Sequence, residues 1–353
     1  MKKDIVEIKN VVDFKKIEHR WKIAESGVDM TVFQSYEWNK LLYLEWENYK
    51  YNNIGSRIEM FVIENESVTM IFPALVQSYS SRLKAGLGRD AGVYLLGQES
   101  YSDYLNIIYN EFSKELFSEL LLTIRNRYPG LKIHLFNVRE DTNTYNYLID
   151  RYQIVNSTVS VYIDIPKSDS EFNKTLSKHT KQNLRTALNR MNKDDMQYEW
   201  HTADCISDKE KLECLSQIHR RRMITKNYDT SSLKRRVVSW INLQPLLYKE
   251  QYNNIVQNSM CTMNNSFVEV VELQGNIVGY IYGLKDKEGV IRILQNCIDE
   301  KYAFYSPMFR GIYDFIIEHC GSKELRKLDF TRGDEEYKYK LGGKEIKLYD
   351  FII

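Results

Sequence analysis

The pattern of apolar and polar positions predicts two series of secondary-structure elements in the same order. In the first part of the chain, two β-rich runs on either side of a short polar turn predict a hairpin. Other segments show the apolar spacing of strands or of amphipathic helices. The predicted elements are a strand and a helix over 5–25, a helix from 35, a hairpin at 58–63 and 68–76, a strand at 93–96, a helix at 102–127, a strand at 131–137, a helix at 142–152 and a strand at 157–165.

The last third of the chain shows the order hairpin, strand, helix, strand, helix, strand again. Its predicted elements are a hairpin at 267–273 and 277–282, a strand at 290–298, a helix at 306–320, a strand at 325–330, a helix at 334–341 and a strand at 346–352. Such recurrence is typical of two copies of one unit. We therefore predict an α/β fold of the α+β kind, with tandem units 1–166 and 167–353. Each is expected to be a mixed, mostly antiparallel sheet flanked by helices, with a helical insert, 168–257, between the two series.

Charge and composition exclude several classes of protein. The chain has 49 Lys and Arg residues against 48 Asp and Glu residues, so no overall positive field favours DNA. It contains no run of about 18 apolar residues, so no segment is expected to span a membrane. The five cysteines include no Cys-x-x-Cys pair, and the six histidines include no His-Glu-x-x-His motif. We therefore expect a cytoplasmic protein that needs no metal ion.

The segment 328–340 carries the densest set of chemical groups. A strand is predicted to break at Gly333, and acidic residues then open a helix with Tyr337 in its first turn. One reading is structural, with Asp329 as a paired acid, Asp334 as a helix cap and Tyr337 as a core residue. The other is functional, with polar groups presented where a helix begins. The sequence leaves both readings open.

Tyr337 is a candidate general acid. If a thioester is bound between the predicted strands 290–298 and 325–330, its sulfur leaves as a thiolate with a pKa of about 8.5, and a tyrosine with a pKa of about 10 is close enough to protonate it. An attacking amine also requires a base, for which the candidates are Asp329, His219 and Glu336. The sequence does not rank these three residues.

Two further features are compatible with phosphate binding. Ser306 and Pro307 predict a helix start, because Ser is a good N-cap and Pro a good first residue. The unpaired N–H groups of such a start suit a pyrophosphate. The predicted helix over 172–191 has a basic face that includes Lys178 and Arg185. Capping alone explains the first feature and a solvated surface explains the second, so the phosphate roles stay open.

Together these segments resemble the CelD/BioF-like acetyltransferases of the GNAT superfamily. The chain is also similar to the FemAB-type peptidoglycan aminoacyltransferases, which are built from two fused GNAT units. The motifs that carry the resemblance are Phe33-x-Ser35-x-x-Trp38, Ser102-Asp103-Tyr104, Ser177-Lys178-x-x-Lys181-x-Asn183-Leu184-Arg185, His219-x-x-Arg222, Tyr305-Ser306-Pro307 and Asp329-Phe330-x-x-Gly333-Asp334-x-x-Tyr337-Lys338. They span nearly the whole chain, and the last is the most specific.

The resemblance implies acyl transfer from acetyl-CoA, or another acyl-CoA, to an amine or hydroxyl of a small molecule, often a sugar or surface-polymer precursor. The glycine-rich loop R/Q-x-x-G-x-G/A of single-domain GNAT enzymes has no match before Pro307, which keeps an aminoacyl-tRNA donor open. The first copy has no match to the segment 333–338, so it is expected to shape the acceptor side, with the acyl donor on the second copy. A third reading is a non-catalytic binding protein with this fold.

On this interpretation, three groups of residues form the expected site, and none of them is a metal ligand. The catalytic candidates are Tyr337, Asp329 and His219. The cofactor-binding candidates are Gln295, Asn296, Ser306, Met308 and Lys338. The substrate-binding candidates are Asp103, Tyr104, Arg185, Arg222, Arg332 and Asp334.

Overall fold

The structure is a computed structural model that describes residues 1–48, 55–78, 90–97, 102–203, 208–228 and 254–353. Its internal contacts divide these residues into two compact units. The first unit comprises the described residues of 1–159 together with 254–255 and 346–353. The second comprises the described residues of 160–228 together with 256–345.

The strands and helices follow the predicted order closely. The strands are β1 Lys2–Ile8, β2 Ser56–Glu64, β3 Thr69–Gln77, β4 Gly92–Leu95, β5 Ile108–Tyr109, β6 Lys132–Arg139, β7 Ile154–Asp164, β8 Tyr198–Thr202, β9 Ser266–Leu273, β10 Asn276–Lys285, β11 Val290–Ile298, β12 Lys327–Arg332 and β13 Lys344–Ile352. The helices are α1 Val11–Lys16, α2 Glu18–Ala24, α3 Tyr36–Asn48, α4 Lys114–Arg127, α5 Asn143–Leu148, α6 Asp169–Thr175, α7 Lys178–Lys193, α8 Lys209–Tyr228, α9 254–262, α10 Pro307–Glu318 and α11 Glu336–Lys340. Short 3-10 turns lie at Val32–Gln34 and Glu300–Tyr305.

The two units share one sheet plan. In the first unit the strand order is β1-β2-β3-β4-β6-β13, with β5 beside β3, and every neighbouring pair is antiparallel except β4 and β6. In the second the order is β8-β9-β10-β11-β12-β7, and every pair is antiparallel except β11 and β12. This common plan confirms the predicted fold of two similar units with mixed, mostly antiparallel sheets.

The final strand of each sheet comes from the other series of elements. Strand β7 closes the first series in sequence, yet its residues 160–164 pair with β12 of the second unit. Strand β13 closes the second series, yet it pairs with β6 of the first unit. Because the strands are exchanged, the compact units do not follow one cut after residue 166.

Each parallel strand pair contains a bend that opens the sheet. Asn137 in β6 and Thr331 in β12 both have a φ of 55° in the left-handed region. That conformation is uncommon for Asn and strained for a β-branched residue, at about 1–3 kcal/mol. In the second unit the last paired residues of β11 and β12 are Arg292 and Asp329, although both strands continue further. The two strands therefore diverge beyond this pair.

The cores form on the faces that helical spacing predicts. In the first unit α4 buries Phe117, Leu120, Leu121 and Ile124 against its sheet. In the second unit α10 buries a stripe of the same kind, made of Met308, Ile312, Phe315 and Ile316. Such i, i+3, i+4 stripes bury one face of a helix on a sheet. These cores fix where β11 and α10 lie in the second unit.

Three details differ from the sequence prediction. The helix predicted over 172–191 is divided into α6 and α7, because Leu176 has an extended backbone. The helix predicted over 102–127 begins at Lys114, where the Ser113 hydroxyl accepts from the Leu116 N–H. The preceding residues 104–109 are all buried, whereas an amphipathic helix would bury only about every third or fourth residue. This segment is instead irregular and ends in the short strand β5. The insert also contains β8, which joins the second sheet beside β9. Residues 204–207 and 229–253 of the insert lie outside the described residues.

Candidate active site

Asp329 lies at the point where β11 and β12 diverge, and its carboxylate is buried. The residue is 4% exposed, and its Oδ2 accepts from Arg292 Nη1 at 2.5 Å. Its Oδ1 accepts from the Thr331 N–H at 2.9 Å and from the Ser160 hydroxyl at 3.3 Å. Arg292 also pairs with Asp286 at 3.1 Å. Both oxygens of Asp329 are therefore engaged in holding the strands.

Tyr337 lies on α11, which follows β12, and its hydroxyl faces β11. Asn296 of β11 donates from Nδ2 to the Tyr337 hydroxyl at 3.1 Å. The ring of Tyr337 meets that of Phe330 edge-on, with centroids 5.9 Å apart. Burial raises the pKa of Tyr337 to about 12, a rise that the Asn296 amide and the Arg222 charge partly oppose. The phenol therefore stays protonated at neutral pH and can donate its hydrogen.

Helix α8 supplies two further polar side chains. It packs against β10 and β11. Arg222 donates from Nη1 to the backbone oxygen of Asn296 at 3.0 Å, so the arginine is fixed beside Tyr337. His219 lies one helical turn earlier, on the same side of α8, and is buried. The structure thus brings the predicted residues His219, Arg222, Asn296 and Tyr337 to one region of the second unit.

Gln295 and Asn296 have different environments although they are adjacent. Successive residues of a strand point to opposite faces of the sheet. The Gln295 side chain accepts from the buried Tyr280 hydroxyl at 2.7 Å. The Asn296 side chain reaches Tyr337 instead. Of these two predicted cofactor ligands, only Asn296 therefore lies beside the phenol.

The start of α10 is as predicted, but its cap differs. Pro307 is the first helical residue, as expected, whereas Ser306 has a φ of 51° and its side chain makes no capping hydrogen bond. The Met308 side chain is buried over Gly279, where an added Cβ would lie 2.5 Å from its sulfur. No side chain therefore caps the first turn of α10, and Met308 can meet a ligand only through its backbone.

Lys338 holds the turn between β12 and α11. It is 2% exposed, and its Nζ donates to the backbone oxygens of Phe330, Arg332 and Gly333 at 3.0–3.2 Å. It also pairs with Glu335 at 2.8 Å. Gly333 has a φ of 113°, which only glycine adopts readily. This arrangement orients α11 and with it Tyr337, and it uses the lysine charge within the protein.

Residues 178–339 match the family model described as "Acetyltransferase (GNAT) domain". This matched segment, residues 178–339, is similar to a GNAT acetyltransferase domain and is called the GNAT domain here. The match covers the part of the second unit that holds Tyr337, Asn296 and Arg222. No curated protein matches the chain by sequence.

Two solved structures share the fold of the whole chain. A conserved protein of unknown function from Bacteroides thetaiotaomicron superposes with a TM-score of 0.58 at 10% identity, over 99% of this chain and 100% of the other. FemX superposes with a TM-score of 0.59 at 10% identity, over 100% of this chain and 97% of the other. At this identity the likeness concerns the fold alone. The GNAT domain is therefore one half of a two-unit architecture that other proteins also have.

The remaining predicted site residues are divided between the two units. Asp103 and Tyr104 belong to the first unit, where Tyr104 is buried and the Arg139 guanidinium lies over its ring at 5.5 Å. In the GNAT domain, Arg185 is exposed on α7 and Asp334 is exposed after β12. Arg332, at the end of β12, is half-buried.

Arg292 was not among the site residues predicted from the sequence. A signal was present, since an arginine in the otherwise apolar start of the strand 290–298 requires a buried partner. That partner, Asp329, is 37 positions away in the sequence, so the pair becomes apparent only in the folded GNAT domain.

No helix among the described residues is long and apolar enough to cross a membrane. The same residues contain no cluster of three or more His, Cys, Asp or Glu side chains suited to a metal ion.

Proposed function

We propose that this protein is an acyltransferase of the CelD/BioF-like kind, which moves an acetyl or other acyl group from acyl-CoA to an amine or hydroxyl of a small molecule. The main support is the Tyr337 hydroxyl, which Asn296 holds beside the diverging strands β11 and β12 of the GNAT domain. A gap between two strands accepts the extended arm of a CoA thioester without breaking any backbone pairing. The acceptor we propose is a sugar or a surface-polymer precursor.

The donor is proposed to lie along the second unit. Backbone pairing of β11 and β12 ends at Arg292 and Asp329, and the Thr331 hydroxyl still donates to the Ile293 backbone oxygen at 2.8 Å. The thioester would lie beyond these contacts, towards the Tyr337 hydroxyl. Its pyrophosphate would lie at the start of α10, because the first turn of that helix has no side-chain cap and helix N-termini attract anions. Ser306 and the backbone of Met308 are the proposed contacts there. The first unit is proposed to provide the acceptor side.

In the proposed acyl transfer, one bond forms and one bond breaks. The acceptor nitrogen or oxygen attacks the thioester carbon, and the C–S bond then breaks to leave a thiolate. With a pKa of about 12, Tyr337 is about 3.5 units less acidic than a thiol of pKa about 8.5, so full proton transfer would cost about 5 kcal/mol. The phenol is therefore proposed as a hydrogen-bond donor that stabilises the thiolate, and not as its full proton source.

His219 is proposed as the base that removes the acceptor's proton. Of the three candidates, Asp329 already accepts hydrogen bonds at both oxygens. Glu336 is exposed and pairs with Lys340 at 3.1 Å. His219 is buried on α8, one turn from Arg222, which contacts Asn296. Histidine is the side chain that most often serves as a general base in enzymes.

Acetyl-CoA is expected to bind the purified protein with a dissociation constant of about 1–100 µM, a range typical of enzyme substrates. Isothermal titration measures this directly. Sodium acetate serves as a control ligand, because it lacks the thioester arm, the pyrophosphate and the adenine. An absence of heat with acetyl-CoA at protein concentrations above this range would count against a CoA donor.

A second candidate is a FemAB-like aminoacyltransferase that takes its donor from aminoacyl-tRNA. The observation in its favour is that Lys178, Lys181 and Arg185 on α7 have no acidic partner among the described residues. Unpaired cations on one helix suit a phosphate backbone.

Under the acyl-CoA proposal, the protein is expected not to bind tRNA specifically. Filter binding at several salt concentrations tests this, with the triple variant Lys178→Gln/Lys181→Gln/Arg185→Gln as the matched control. Tight binding that weakens steeply with salt, and that the triple variant loses, would favour the tRNA donor.

A further inference from the structure

We infer that Phe304 and Arg190 form the binding surface for the adenine ring of the CoA thioester. This inference rests on the proposed function and adds a specific nucleobase contact to it. Phe304 lies in the 3-10 turn Glu300–Tyr305, between β11 and α10. Arg190 lies in the last turn of α7.

The Phe304 side chain is more exposed to water than is favourable for an apolar ring. The residue is 60% exposed, whereas the other large exposed apolar residues of the described chain are aliphatic. A phenyl ring left in water forgoes about 2 kcal/mol of burial. An isolated exposed apolar residue needs no explanation, but an aromatic ring and an arginine lying together are the residue types enriched in binding surfaces.

The ring of Phe304 is held in a fixed place. Arg190 lies over it with Cζ 4.3 Å from the ring centroid, and Nη1 donates to the Phe304 backbone oxygen at 2.7 Å. One residue later, the Tyr305 hydroxyl donates to Asp194 at 2.8 Å. The turn is therefore attached to the end of α7 at two points, and the ring is presented as a rigid flat surface.

The position of the ring matches the shape of CoA. Phe304 precedes the first residue of α10, Pro307, by three positions. The proposed pyrophosphate lies at that helix start, and in CoA only a ribose separates the pyrophosphate from the adenine. A planar base stacks on an aromatic ring, and a guanidinium beside the ring strengthens the contact.

The sequence gives an independent reason for such a contact. The glycine-rich loop that would wrap a pyrophosphate in backbone N–H groups has no match before Pro307. The segment 299–306 instead contains three aromatic residues, Tyr302, Phe304 and Tyr305. Stacking of the base on a side chain would supply binding energy that a backbone loop does not supply here.

The test compares two donors that differ in the adenine nucleotide. Acetyl-CoA carries it, and S-acetylpantetheine does not. In Phe304→Ala, the dissociation constant for acetyl-CoA is expected to rise about tenfold, equal to about 1.4 kcal/mol, while that for S-acetylpantetheine stays unchanged. Phe304→Trp is expected to bind acetyl-CoA as tightly as the wild type. Phe304→Leu is expected to behave like Phe304→Ala, because leucine offers bulk without a flat ring.

Leu122→Ala is the matched control, because Leu122 is also exposed but lies on α4 of the first unit. It is expected to change neither dissociation constant. The inference is overturned if Phe304→Ala leaves acetyl-CoA affinity within twofold of the wild type, or if it weakens both donors equally. If the wild type binds neither donor, the proposed function itself fails, and that result is distinct from a failure at Phe304 alone.

Discussion

Tyr337→Phe is expected to lower the turnover of acetyl-CoA about 100-fold and to leave its dissociation constant nearly unchanged. The phenol hydrogen is proposed to stabilise a thiolate that exists only after the C–S bond has begun to break, so its loss should affect the transition state rather than the bound substrate. The substitution keeps the ring, which packs against Phe330, and removes only the oxygen that accepts from Asn296.

Release of the free CoA thiol, followed over a set of amine and hydroxyl acceptors, measures this effect. Tyr339→Phe is the matched control, because Tyr339 lies on the same short helix but bonds Glu345 at 2.6 Å, and it should retain turnover. Since the pKa of Tyr337 is raised to about 12, its protonated form persists up to that pH. Activity should therefore show no loss from Tyr337 ionisation below about pH 11. Full turnover in Tyr337→Phe would remove the phenol from the mechanism.

Asp329→Ala is expected to lower the free energy of unfolding by about 3–5 kcal/mol. It would leave the Arg292 guanidinium, which is 7% exposed, without its closest carboxylate, and breaking a buried ion pair at one partner has a cost of this size. It would also remove the acceptor for the Thr331 N–H at the strained bend of β12. Asp329→Asn keeps acceptor capacity and should lose less.

Urea denaturation followed by circular dichroism measures the change. Asp334→Ala is the control, since this acid is exposed five positions later, and it should shift the free energy of unfolding by about 0.5 kcal/mol or less. Turnover measured on the same variants separates a structural role of Asp329 from a catalytic one. A variant that unfolds as the wild type does but has lost turnover would identify Asp329 as the base in place of His219.

The order of elements in both units was predictable from the sequence. Strand β11 has the predicted limits, and α10 starts at Pro307, the predicted first helical residue, because proline at a helix start gives a strong local signal. The helix predicted over 102–127 was too long, because the mostly apolar run 104–109 is buried at every position and its composition does not distinguish a strand from a helix.

The sequence named several residues of the candidate site but not the contacts that each one makes. Tyr337, Asn296 and Arg222 contact one another in the second unit, and the sequence named all three as candidates without showing that they would meet. The structural role of Lys338 was not predictable. A lysine in a sequence motif is readily interpreted as a cofactor-binding residue, and only the fold shows that its Nζ binds backbone oxygens. The same reason applies to Phe304, whose exposure is a property of the fold and not of its neighbours in the sequence.

The exchange of β7 and β13 has a consequence for the order in which the protein forms during synthesis. Leu348 and Phe351 of β13 are fully buried, and Phe351 belongs to the core of the first unit. Backbone hydrogen bonds between Ile133 and Ile353 complete that sheet. While the ribosome is still translating the GNAT domain, the amino-terminal unit therefore exposes an unpaired edge on β6. It becomes complete only once residues 346–353 have emerged, so a premature stop shortly before them would damage the opposite end of the polypeptide.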